Sequence, residues 1–450
     1  MKPWLTSAAL ALALALSVSG PALAQDQAAQ AAEQARKADA TAQASGFKIR
    51  PVDDAWRAAL PRNAEAATQA YLDRLPAEVL ATSNAYYTGG YWLQLWNLLL
   101  GLAVAAVMMS GRRAARVRDW ATRIGKGPVR RDLLFGASYL ALSWVMTLPL
   151  AVYEGWWREQ AYNMSTLTLA AWFGEQGLAM TGTTLVGALV IAALYALMRR
   201  AGERWWIWGT AGSVALLVLL VTLSPVVIDP LFNTYKPVED GPVKTAVLTM
   251  AHANGVPVDN VHVFDASRQT TRISANVSGL FGSAAVRLND NLLRRTSEAE
   301  IRAVMGHELG HYVMNHIVKM LIMFSLVLML GFFIAQLAMG GLLRHMASAT
   351  GVHRTDDVAS LPVLAAVLSV FLTLATPITN TITRVQEIEA DRFGLNLSRE
   401  PHGFAEAQLR LVEYRKADPG TLEEFIFFHH PSTRHRIHDA MRWREALGTP

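Results

Sequence analysis

Residues 297–316 read SEAEIRAVMGHELGHYVMNH, and three side chains there have the types and spacing for hydrolytic chemistry. Ser297 and Glu300 stand three apart, the spacing of a capping box, so a helix is expected to begin there. On that helix His307 and His311 are four apart and project from one face, about one turn apart. That separation suits two ligands of a tetrahedral zinc ion. Glu308, next to the first histidine, falls beside such a metal rather than on it, where it can take a proton from an activated water. The chain has no cysteine, so disulfides, thiol catalysis and cysteine-ligated clusters are excluded, and histidine and carboxylate must hold any metal. A zinc site open to water needs a third protein ligand. The candidate segment is RVQEIEADRFG, residues 384–394, where Glu387 and Asp391 are four apart on a shared helical face. Glu387 as ligand, with Asp391 accepting from a ligand imidazole, would fix that ring's tautomer. Glu389 points elsewhere on the same helix. On spacing alone, a charged helix end paired with Arg384 and Arg392 fits equally well.

The elements that must bring these residues together are set by composition. Of 450 residues 52% are apolar and only 17% charged, with a mean hydropathy of +0.22, whereas an average soluble domain is about a quarter charged. Neither a disordered chain nor a purely water-soluble protein fits those values. Six apolar runs lie near 91–109, 133–152, 178–198, 206–228, 320–343 and 361–379, each near the roughly 20 residues that cross a bilayer. Trp92, Trp96, Trp156, Trp157, Trp205, Trp206 and Trp208 crowd the run ends, as an interfacial aromatic belt does. The helix carrying His307 precedes the fifth run, and Glu387 follows the sixth. A membrane hairpin therefore returns Glu387 to the side on which His307 sits. Between the fourth and fifth runs the composition changes to a mixed insert, with helical spacing at 243–254 and strand patterns at 261–264, 273–280 and 284–288, the last two joined through Gly279 and Gly282.

Residues 1–24 read as a secretory leader, with Lys2, an apolar core at 8–18 and Ala22-Leu23-Ala24 as a small-x-small cleavage site. An uncleaved first membrane helix is the competing reading. Residues 25–46 are Ala/Gln-rich without a large apolar side chain, which suits a tether or a loosely helical arm. Eight basic residues fall between 110 and 132: Arg112, Arg113, Arg116, Arg118, Arg123, Lys126, Arg130 and Arg131. The next loop has only Arg158, and the one after it has Arg199, Arg200 and Arg204. Positive-inside bias puts the first and third of these loops in the cytoplasm, so residues 233–316 and the tail after Asn380 are expected outside it.

HELGH with His316, the EIEAD block at 387–391, PLFNTYKP at 230–237 and HHPSTRHR at 429–436 together resemble the type I CAAX prenyl endopeptidases, integral-membrane gluzincin metalloproteases. The resemblance runs from about residue 91 to 436. It implies one Zn²⁺ per chain, held by His307, His311 and Glu387, with Asp391 behind the ligands and Glu308 as the general base. It also implies that His430 steadies the tetrahedral intermediate and that Arg436 lies near the site, both placed to stabilise the developing oxyanion. Without it, His430 is one polar loop residue among His429, His435 and His438. The family pairs an edge strand with the extended substrate, and residues 274–279 match that piece. The usual pattern there is Asn-Ala-Tyr, from which Ser274 and Asn276 depart. Family members enclose an intramembrane chamber with seven helices, whereas cleavage of the leader would leave six here.

The expected fold is mostly α: polytopic membrane helices with a zincin-type α+β catalytic domain inserted between them. The expected organisation is a leader at 1–24, an extracytoplasmic segment at 25–90, four membrane helices within 91–232, and a zinc metallopeptidase domain at 233–446 that includes the last two membrane helices. The expected function is a membrane-embedded zinc endopeptidase in the bilayer of a bacterial inner membrane, its catalytic side facing the periplasm. It would cut peptide or protein substrates that are membrane-associated or lipidated. A nucleic-acid partner is not expected. The alternatives are a catalytically silent client-binding membrane protein or a transporter with a structural zinc.

Overall fold

A computed structural model describes residues 52–279 and 284–448. The leader and the arm expected at 1–46, and Gly282, lie outside the described residues. The chain opens with α1 (Asp54–Ala58) and α2 (Ala64–Leu72), whose first turns are capped by the side chains of Asp53 and Asn63. Four long apolar helices follow, α3 (Ala77–Met109), α5 (Pro128–Val152), α6 (Leu169–Ala201) and α7 (Trp205–Leu223), with the basic helix α4 (Arg113–Gly125) between the first two. Residues 169–231 are helical almost throughout. A straight helix of that length would reach about 95 Å at 1.5 Å per residue, some three times the bilayer core. Gly202, at φ 55°, breaks it instead. Trp205 at the start of α7 then packs on Phe332, ring centroids 5.4 Å apart.

The insert that follows holds β1 (Tyr235–Pro237), α8 (Pro242–Ala253), β2 (Val261–Phe264), β3 (Ala275–Ser278), β4 (Ala285–Asn289) and α9 (Asp290–Arg295). The four strands form one sheet in the order β1-β2-β4-β3. β2 and β4 are parallel, while β1 and β3 pair antiparallel with their neighbours. β1 had no signature in the sequence: three residues ending in proline carry no alternation, and an edge is where a strand tolerates proline. β3 forms the other edge, and its register puts Ala275 opposite Leu288 and Val277 opposite Val286.

Next come α10 (Glu298–Val313), α11 (His316–Thr350), α12 (Leu361–Leu374), α13 (Thr376–Ser398), α14 (Pro401–Leu411), α15 (Thr421–Phe427) and α16 (Thr433–Leu447). The capping box at Ser297 and Glu300 forms as expected, and Glu300 also accepts from Arg410 Nη2 at 3.0 Å, tying α10 to α14. Five of the six apolar runs lie on single helices or their direct continuation, whereas the sixth does not. The run at 361–379 is split: α12 ends at Leu374 and α13 leaves it at 53°. Pro377 sits in the first turn of α13, where its missing N–H costs nothing, so a new helix starts inside the apolar run. α12 alone, 14 residues and about 21 Å, is too short to span the hydrocarbon core. Leu326, Leu330 and Leu337 on α11, and Leu185 and Leu189 on α6, are at least half exposed, the pattern of helices that face lipid.

Three apolar clusters divide the molecule. One fills the membrane bundle around Met108, Phe135, Tyr195, Trp205 and Met339. A second lies between the sheet, α8 and α10, around Val247, Val286, Leu288, Met305 and Leu309. The third joins α2 to α14 and α16 through Tyr71, Phe404, Leu409, Ile437 and Met441. There the Tyr71 hydroxyl meets His402 Nδ1 at 2.7 Å and Arg57 pairs with Glu406 at 2.8 Å. The segment before α3 thus sits on the same side of the bundle as the insert and α16. The basic helix α4 is at the opposite end, where Arg118 pairs with Asp357 just before α12, and Asp132 is buried between Arg131 and Arg199.

α10 and α13 cross at glycines. A Cβ built on Gly394 would stand 2.6 Å from the His307 amide nitrogen, and one on Gly306 would stand 2.9 Å from the Gly394 carbonyl oxygen. Both obstacles are backbone, so no rotamer change relieves them. Gly394→Val is therefore expected to lower stability by about 1–3 kcal/mol or more through overpacking, read as a fall in the melting temperature of detergent-purified protein. An unchanged melting curve would contradict this crossing.

Candidate metal centre

Helical spacing turns His307 and His311 to one face of α10, and the glycine crossing sets that face against Glu387 and Asp391 of α13. His307 Nε2 and His311 Nε2 are 3.1 Å apart. Glu387 completes a triangle, with Oε2 3.3 Å from His307 Nε2 and Oε1 3.4 Å from His311 Nε2. Among the described residues this His307, His311 and Glu387 group is the one whose ligand atoms converge as for a metal ion.

The proton arrangement shows why such convergence calls for a cation. His307 Nδ1 lies 2.7 Å from Asp391 Oδ1; the carboxylate can only accept, so Nδ1 carries the proton and Nε2 presents a lone pair. His311 Nδ1 lies 2.8 Å from His316 Nδ1, and His316 Nε2 lies 3.1 Å from Glu389 Oε2. His316 gives its Nε2 proton to Glu389, so its Nδ1 accepts from His311, and His311 Nε2 also presents a lone pair. Two lone pairs then face each other beside a carboxylate whose Oε2 is buried without a hydrogen-bond partner. A tetrahedral ion with bonds of about 2.0–2.1 Å to nitrogen needs donor atoms roughly 3.3 Å apart. The observed 3.1–3.4 Å matches that edge length, so these residues fit a zinc ion.

The surrounding charges are ordered by the same elements. Arg436, on α16 and nearly fully buried, donates from Nε to Asp391 Oδ2 at 2.8 Å and from Nη2 to Oδ1. Arg436 also lines the open cleft with Glu308 and His430, but its fork is committed to Asp391, which it holds against His307. Glu308 lines that cleft together with His430, Arg415 and Ser274. Burial pushes the Glu308 carboxyl above its ordinary range, opposed by His307 and His311. His430 Nε2 is 3.2 Å from Glu387 Oε2. Burial, and then the charge of Arg415, push its pKa well below the usual imidazole value, so it stands neutral with an N–H to give.

The loop that presents His430 is tied to α13 and α15. Asn380 Nδ2 donates to the Ile426 carbonyl at 2.8 Å, and Arg384 Nη1 to the Glu424 carbonyl at 2.9 Å. The Glu424 side chain in turn accepts from the Ser432 amide at 3.0 Å. Arg384 thus serves the loop rather than pairing with Glu387. Sequence reasoning did not single out Glu424, nor the His316–Glu389 pair behind His311; a histidine five residues after the second ligand was the available signal for the latter. Glu389 also pairs with Lys319 at 2.7 Å, off the centre as its position on the helix implied. Of the departing strand residues, Ser274 and its neighbour Ala275 line the cleft, while Asn276 Oδ1 is buried without a partner.

A membrane bundle joined to an α+β domain with a His/His/Glu cluster defines a multi-pass membrane metalloprotease. Residues 237–444 match the model of peptidase family M48. Residues 58–234 match the family described as CAAX prenyl protease N-terminal, five membrane helices. The chain is 29% identical over 304 residues to the uncharacterized metalloprotease YhfN of Bacillus subtilis, covering 67% of this chain and 71% of that protein. It is 30% identical over 195 residues to CAAX prenyl protease 1 of Saccharomyces cerevisiae, 43% of each chain. The crystal structure of S. mikatae Ste24p shares the fold, with a TM-score of 0.69 at 20% identity over 92% of this chain and 96% of that one. The chain belongs to peptidase family M48, with the membrane region of the CAAX prenyl proteases.

Asp391→Asn removes the carboxylate that fixes the His307 tautomer while keeping the volume. Zinc affinity is expected to fall about 10–100-fold, measured by competition with a chelator. Unchanged affinity would mean that Asp391 does not orient the ligand.

Proposed function

We propose that the protein is an HExxH zinc endopeptidase of the gluzincin type, acting on membrane-associated or lipidated protein substrates. The observation that carries this reading is the convergence of two imidazole lone pairs and one carboxylate at 3.1–3.4 Å beside an acid in an open cleft. One Zn²⁺ held by His307, His311 and Glu387 would polarise the scissile carbonyl and lower the pKa of water from 15.7 to about 7. The remaining work falls to the chain itself. Glu308, desolvated and beside His307, takes the proton of the attacking water and hands it to the leaving amine. His430 gives its N–H to the developing oxyanion, a contribution of roughly 3–4 kcal/mol for one such donor. Arg436 acts through Asp391 as a positioning residue. The exposed edge of β3 offers backbone N–H and C=O groups to an extended peptide beside Ser274 and Ala275.

The two family matches support a membrane-bound substrate, since the catalytic residues sit on helices that continue into the apolar bundle. The placement proposed is a bacterial inner membrane with the catalytic side in the periplasm. It is supported by the clustering of Arg112–Arg131 cations and of Arg199, Arg200 and Arg204 at the end of the bundle opposite to the metal centre.

Two outcomes follow. Glu308→Gln should keep its zinc and lose cleavage by about 10²–10⁴-fold, measured by metal content and peptide turnover on the same preparation; wild-type turnover would remove Glu308 from the mechanism. Because the chain lacks cysteine, single cysteines report topology cleanly. Lys244→Cys should react with a membrane-impermeant maleimide in cells with a permeabilised outer membrane, and Lys126→Cys only after lysis. The reverse pattern would put the catalytic side in the cytoplasm.

A further inference from the structure

Most of the cations around the cleft are matched. Arg436 is bound to Asp391, Arg295 to Glu413, Arg272 to Glu159 and Lys416 to Glu423. Arg415 is not. Its guanidinium has no ion pair among the described residues, and its Nη1 is buried with no hydrogen-bond partner. The residue is nevertheless held firmly. Its amide donates to the Leu411 carbonyl at 2.9 Å, and its carbonyl accepts from the buried Ser83 hydroxyl at 2.8 Å. Arg415 and Tyr414 together line three adjoining cavities. The first is the catalytic cleft of about 140 Å³ with Glu308 and His430. The second, about 200 Å³, runs past His429 and Pro431. The third, about 640 Å³, opens towards Ser274 and Phe232. Among the carboxylates of the surrounding elements Glu387 faces the histidines, Glu413 and Glu423 have their own cations, and Glu308 shares the cleft with Arg415 without an ion pair to it.

A partly buried guanidinium without an anion is unfavourable, and its planar fork matches a carboxylate in bidentate geometry. Two of the cavities that Arg415 lines are also lined by Ser274, where a peptide on β3 would pass. We propose that Arg415 is the carboxylate-binding residue of the substrate cleft, selecting peptides that carry a free carboxylate at one fixed distance from the bond cut. The carboxylate is either the peptide's C-terminal group or an Asp or Glu side chain. This inference rests on the endopeptidase reading and adds to it a substrate chemistry.

The test uses full-length protein in detergent with a defined library of peptides of mixed sequence, prepared once with free and once with amidated C-termini. Cleavage products are read by mass spectrometry for the wild type, Arg415→Lys, Arg415→Met and Arg415→Glu, all with zinc content and melting temperature matched to wild type. The expected result is enrichment, among peptides cut by the wild type, of a carboxylate at one position. For the best such peptide, Arg415→Met should raise KM at least about tenfold with kcat little changed. Arg415→Lys should retain part of the preference, and Arg415→Glu should shift it to Lys or Arg at that position. Loss of the enrichment on amidation assigns the C-terminal carboxylate, and its persistence assigns an acidic side chain. Identical cleavage profiles and KM values for wild type and Arg415→Glu would overturn the proposal while leaving the endopeptidase reading intact. A zinc-loaded wild type that cuts neither library would overturn that reading, and the proposal with it.

Discussion

The crossing of α10 and α13 is the constraint on which the site depends. Two histidines on one helix can hold a metal only weakly by themselves, and the carboxylate that faces them, Glu387, comes from a segment some eighty residues later, beyond a membrane hairpin. Contact close enough for Glu387 to come within 3.4 Å of both imidazoles requires the two backbones to touch, and Gly306 and Gly394 leave room for that. α11 and α12 then work as a spacer. α11 carries the chain through the bilayer, and α12 brings it back together with the start of α13, which leaves α12 at a 53° bend.

The charges around this crossing form two chains that end on the ligand imidazoles. Arg436 holds Asp391, which fixes His307. Lys319 holds Glu389, which fixes His316 and through it His311. Each chain runs from a cation through a carboxylate to an Nδ1 proton, so each ring is left with an Nε2 lone pair turned inward. The buried Asp391–Arg436 pair, in which either charge would be costly alone, is thus matched, and an electron-rich gap is left among His307, His311 and Glu387. A divalent cation would fill that gap.

Much of this could be read from the sequence, and the parts that could not have physical reasons. The helix under His307 and His311 was legible because its capping box and histidine spacing are local. Glu387 was legible as a partner because Asp391 shares its face, though spacing alone did not separate a ligand from a charged helix end. His430 was visible only through family resemblance, since its position depends on Asn380, Arg384 and Glu424 acting across separate elements. The docking of α2 on α16 was missed because Leu60, Tyr71 and Leu72 are too sparse to announce a core, and they find theirs on Phe404 and Ile437. The sixth apolar run looked continuous because Pro377 at a helix start preserves hydropathy while changing direction. Arg415 gave no signal, because what marks it is the lack of a counter-ion among the described residues.

Whether His307, His311 and Glu387 together hold one zinc ion is read from the metal content of detergent-purified protein by elemental analysis, beside a Glu387→Ala variant. About one zinc per chain in the wild type, lost or sharply weakened in the variant, is the predicted result. No zinc in a well-folded wild type, or zinc equally retained without Glu387, would contradict it.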